Sequence, residues 1–120
     1  MKTSELTGAA LDWAVAKCEG VNYVEDDVRF SGAYARKYST DWAQGGPIVE
    51  RESIAMIPTP DGLWSAYAPK GTSSVQHGGR AVEVFNWTYK QQGGTPLIAA
   101  MRCYVASKLG DEIELPEELK

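Results

Sequence analysis

Apolar residues recur at three- and four-residue intervals near the two ends of the chain and alternate in its middle, so helices should flank a sheet. Leu11, Ala14, Val15 and Cys18 make one helical face and predict a first helix over residues 4–19. Thr7 can cap it, Leu6 and Leu11 stand where a hydrophobic staple forms around that cap, and Gly20 occupies the glycine-favoured stop position. Trp13 and Lys17 lie four apart on another face. Near the other end, Thr95 caps and Pro96 opens a helix through Leu109, which Gly110 ends. Leu97, Met101, Tyr104 and Lys108 mark one row of it, and Ile98, Met101, Val105 and Leu109 mark the neighbouring row, bordered by Arg102.

Between these helices, Ser53–Ile57 alternates toward a strand that ends at Pro58. Pro60-Asp61-Gly62 is a turn, and Leu63–Ala68 alternates again, which predicts a hairpin. Ala81–Phe85 is a third strand, and Asn86–Lys90 either extends it or turns away. Pro69–Arg80 has three glycines and few apolar anchors and reads as a flexible loop. Its Lys70, Ser73 and Ser74 lack the spacing of a phosphate-binding loop. Asn22–Val24 and Val28–Phe30 read as short strands around an acidic turn, Glu25–Asp27, which lacks the alternating oxygen ligands of a calcium loop. The expected fold is a single α+β domain over residues 1–120, with an acidic tail from about residue 111. A small, mainly antiparallel sheet over about residues 53–87 carries the N-terminal and C-terminal helices.

One stretch fits neither period. Tyr38–Glu52 combines aromatics, a Ser39-Thr40-Asp41 cluster, Gly45-Gly46-Pro47 and a Glu-Arg-Glu run. Ser39 or Thr40 is expected to cap a helix with Trp42 on its first turn and a restart or kink at Pro47.

Charge and composition narrow the function. The net charge is −4 over 120 residues, which disfavours long nucleic acids and anionic membranes as partners. No apolar run is long enough to span a bilayer and no signal peptide stands at Met1, so the cytoplasm is the expected compartment. Cys18 and Cys103 sit in apolar helical patterns and read as packed thiols, and with one histidine, His77, no metal set is expected. No nucleophile elbow, dinucleotide fingerprint or zinc-protease motif occurs, so a non-enzymatic protein without a cofactor is expected.

The inventory suits binding. Trp42, Trp64, Trp87, Tyr38 and Tyr89 can stack on a planar ring, and Arg51 or Arg102 can grip phosphate. The candidate ligand-binding set is Tyr38, Thr40, Asp41, Trp42, Arg51, Trp87 and Arg102, and a small nucleotide-like molecule is the expected ligand. The alternative is a partner protein, engaged through exposed aromatics and the acidic tail. Edge strands and an apolar C-terminal helix also lead us to expect a homo-oligomer.

Three blocks carry a resemblance: Ser4–Lys17, Tyr38–Glu52 and Thr95–Glu112. In these the chain resembles the NinX family of small proteins from tailed, lambdoid-type bacteriophages and their prophages. The resemblance implies a phage origin and action within the host cell, and little chemistry. In size and layout, a small sheet followed by an arginine-bearing helix, the chain is similar to phage sponges. These enclose the nucleotide signals of bacterial immunity without cleaving them, so the resemblance implies an anti-defence role.

Overall fold

The computed structural model describes residues 1–20 and 36–119. The two short strands and the acidic turn expected over Asn22–Phe30 lie outside the described residues. Helix α1 (Gly8–Cys18) is followed by α2 (Trp42–Arg51), strands β1 (Ala55–Pro58), β2 (Trp64–His77) and β3 (Arg80–Gly93), and helix α3 (Pro96–Leu109). The strands form one antiparallel sheet in the order β1-β2-β3. The expected α+β architecture is the observed one.

Helix α3 organises the domain. It touches all three strands, α1, α2 and the N-terminal turn. Leu97, Ala99, Ala100, Met101, Cys103, Tyr104, Val105 and Ala106 are all buried, so apolar contacts surround α3 and the one-faced pattern expected of it is too narrow. Its ends follow local rules. The Thr95 hydroxyl accepts the Ile98 amide at 3.1 Å, Pro96 opens the first turn, and Gly110 at φ +90° takes the chain out. Gly93 lets β3 run close beneath, because a Cβ there would stand 2.6 Å from the Ala99 nitrogen.

Leu6 and Leu11 are fully buried on either side of Thr7, as the staple requires, although the Thr7 side chain makes no capping bond. Leu11, Ala14 and Val15 face the core, and Lys17 Nζ lies 5.2 Å from the centre of the Trp13 ring. After α3, the Ile113 amide donates to the Met1 carbonyl at 3.0 Å and the Thr3 amide to that of Asp111 at 2.7 Å. This pairing draws the acidic tail along the first residues of the chain and buries Ile113 and Leu115.

Two expectations are corrected. The segment Pro69–Arg80 is not a loop: β2 and β3 pair to His77↔Arg80, and Gly78-Gly79 alone connect them. Both glycines have positive φ, +59° and +78°, which a tight hairpin turn needs and which a polar composition concealed. Asn86–Lys90 therefore extends the strand, and the sheet reaches Gly93 rather than residue 87.

The second correction concerns α2. Its cap is Asp41, whose Oδ1 accepts the Ala43 amide at 2.9 Å, while Ser39 and Thr40 precede it in a turn. The helix continues through Pro47 and ends at Arg51, with Glu52 as its C-cap and Ser53 at φ +56°. The Ser53 amide donates to Glu50 O at 3.3 Å and the Ile54 amide to Val49 O at 3.1 Å, a Schellman stop with serine in the glycine position.

Candidate functional site

The candidate residues fall into four places. Tyr38, Thr40, Asp41 and Trp42 lie together at the start of α2. Tyr38 is buried, its carbonyl pressed against Gly45, and the Ser39 amide donates to Asp12 Oδ1 at 2.8 Å. Burial raises the Asp12 pKa above the ordinary carboxylate value. Asp41 is occupied by its own helix, since Oδ2 also accepts from Gln44 Nε2 at 3.1 Å. Trp42, 50% exposed, and the exposed Thr40 are the members of this group open to solvent.

Arg51 stands at the far end of α2, about 14 Å along the axis from Trp42. Its Nη1 and Nη2 bind the two Glu19 oxygens at 3.0 and 2.6 Å, and its Nε binds Glu52 at 2.9 Å. Nη2 also meets the Tyr104 hydroxyl at 3.2 Å, and that hydroxyl donates to Glu19. Lys108 Nζ completes the cluster, 3.1 Å from Glu52. Hydrogen bonds from Arg51 hold the Glu19 carboxyl below its usual range, while burial pushes the Tyr104 phenol up. A phosphate at Arg51 must displace a bidentate carboxylate. The arrangement clamps α1, α2 and α3 together.

Arg102 leaves α3 on the other side, about 200° around the axis from Tyr104. Its Nε donates to Leu6 O at 2.8 Å and its Nη1 to Gln92 O at 2.8 Å, and burial lowers its pKa. These bonds fix the guanidinium against the wall of a cleft of about 580 Å³. Ser4, Leu63, Lys90, Gln91, Gln92, Gly93 and Gly94 form the rest of the lining. This lining includes two basic residues, Lys90 and Arg102, and no carboxylate. Trp87 is remote from α2, on the outer part of β3, and is 50% exposed with its ring centre 5.5 Å from that of Phe85.

The fold thus keeps Arg51 and Arg102 apart and puts neither Trp42 nor Trp87 in the lining of the Arg102 cleft. Lys90 and Ser4 were missed as site residues. A Lys-Gln-Gln-Gly-Gly run directly before a capped helix is the one sequence signal that points to them. Among the described residues, no group of three or more His, Cys, Asp and Glu could hold a metal. No helix among them is long and apolar enough to cross a membrane.

These features define a small α+β domain built around one buried helix, with a cationic cleft where β3 meets that helix. The family model described as Bacteriophage P22, NinX matches residues 2–108, and the chain belongs to that family. It is therefore a phage accessory protein acting in the bacterial host. No curated protein matches the chain.

Proposed function

We propose that this protein binds a small phosphate-bearing ligand of the nucleotide class in the Arg102–Lys90 cleft and holds it without cleaving it. Acting in the host cytoplasm, it sequesters a nucleotide signal of host immunity. The observation that carries this reading is the charge of the lining, two cations with no carboxylate, in a space of about 580 Å³. That volume lies within the range of small-ligand sites. Arg102 supports it further. Two backbone carbonyls hold its guanidinium, so a phosphate meets an oriented donor and little side-chain entropy is lost on binding. Gln91, Gln92 and Ser4 supply neutral hydrogen-bonding groups for sugar hydroxyls or a base edge.

The test is retention. The pure protein is incubated with a bacterial nucleotide extract, washed and heat-denatured, and the released molecules are identified by mass spectrometry. An intact nucleotide is the expected result, and a cleaved one makes the protein an enzyme. Lys90→Glu should abolish retention without unfolding, because Lys90 is exposed and stands over the Tyr67 ring at 5.7 Å without a core role. Arg102→Ala should do the same at some cost in stability. Unchanged retention in both variants removes the site from this cleft. The exposed Phe85–Trp87 pair favours a second reading, a host-protein binder. Specific capture of one host protein by a nucleotide-free wild type decides for it.

A further inference from the structure

The outer half of the β2–β3 hairpin has no packing partner among the described residues. Every residue from Lys70 to Thr88 is exposed, and α3 packs only on the inner half. Eight residues of strand carry this arm about 26 Å beyond Pro69. Its exposed side chains include Val75 at 42%, Val82 at 39%, Val84 at 39%, Phe85 at 45% and Trp87 at 50%. A lone two-stranded ribbon is marginal in water, and open strand edges recruit further chains unless prolines, bulges or charges blunt them. Here the register irregularities, between Ala68 and Thr72, and Pro69 sit at the base. From Thr72↔Phe85 to His77↔Arg80 the pairing is regular.

We infer that this arm is a dimerisation element, which lays its valine face on the same face of a second copy of the chain. Directly opposed residues share a face. Val75↔Val82 and Ser73↔Val84 therefore line one side, with His77↔Arg80 at the tip. Thr72↔Phe85, Ser74↔Glu83 and Gln76↔Ala81 line the other. A two-fold contact sets a surface against itself. On the phenylalanine side it brings two Glu83 carboxylates together; on the valine side it joins Val75, Val82 and Val84 to their copies. It also sends the two Arg80 tips to opposite ends.

Charge supports a second copy as the occupant. The arm carries Lys70 and Arg80 against Glu83, net +1, so the remainder of the chain carries −5 and is opposite to it in sign. The inference is independent of the ligand reading above.

Sedimentation equilibrium of the intact protein at micromolar concentration tests it. Wild type should show the mass of a dimer. Val84→Glu should halve that mass with an unchanged circular dichroism spectrum, because the arm lies outside the core. Val75→Glu, on the facing strand, should give the same result and stands in if Val84→Glu misfolds. Trp87→Ser, away from the valine seam, should remain dimeric. A monomeric wild type, dimeric valine-to-glutamate variants, or loss of the dimer only in Trp87→Ser overturns the proposal. So does a monomer whose arm cross-links to a host protein instead.

Discussion

Adjacent glycines in α2 should respond differently to one added methyl group. At Gly45 a Cβ would drive into the Tyr38 carbonyl oxygen and stand 2.7 Å from Leu97 Cδ1. Neither neighbour yields cheaply, since Tyr38 O belongs to the backbone and Leu97 is buried at the start of α3. Overpacking of this kind costs about 1–3 kcal/mol, while alanine returns up to about 1 kcal/mol of helix propensity. The net expectation for Gly45→Ala is a loss of about 1 kcal/mol, or roughly 4 °C in Tm for a domain of this size. At Gly46 the nearest atom to a Cβ is Trp42 Cε3, at 3.8 Å. There the propensity gain is offset by the restriction that Pro47 places on the residue before it, so Gly46→Ala should fall within about 0.5 kcal/mol of wild type. Urea unfolding followed by tryptophan fluorescence measures both. Equal stabilities for the two variants would refute the close approach of α2 to α3 at Gly45.

Three further outcomes are expected. Ser53→Gly should stabilise by about 0.5–1 kcal/mol in the same assay, because glycine adopts the positive φ of the Schellman stop without strain. Glu19 has a folded pKa below its unfolded one, so its contribution is present above the ordinary glutamate value and lost as pH falls through the lower one. Glu19→Gln should therefore destabilise at neutral pH, with the difference from wild type shrinking as unfolding is measured at progressively more acid pH. Burial pushes the Cys18 thiol up to about 11 and Cys103 up to about 12, so neither should react readily with iodoacetamide at pH 8 until urea exposes them.

What the sequence determined by itself is local. Thr95 and Pro96 start α3 and Gly110 ends it, Leu6 and Leu11 bracket the entry to α1, and Pro60-Asp61-Gly62 turns β1 into β2. Each signal acts within a few residues, through a hydrogen bond or a backbone angle that needs no distant partner. The NinX family was likewise legible, since its three blocks span both ends and the middle of the chain. Only the tertiary structure decided what the arginines do. Arg51 and Arg102 look alike in sequence, yet Glu19 comes to Arg51 from 32 positions away, and Leu6 comes to Arg102 from 96 away. The same holds for Gly45, whose reason is the Tyr38 carbonyl and Leu97, and for the arm. Its Ser-Ser-Val-Gln-His run has too little apolar alternation to read as a strand, and becomes one because Gly78-Gly79 fold it onto Arg80–Phe85. Partners brought together by folding have no period along the chain, so their effects cannot be read from it.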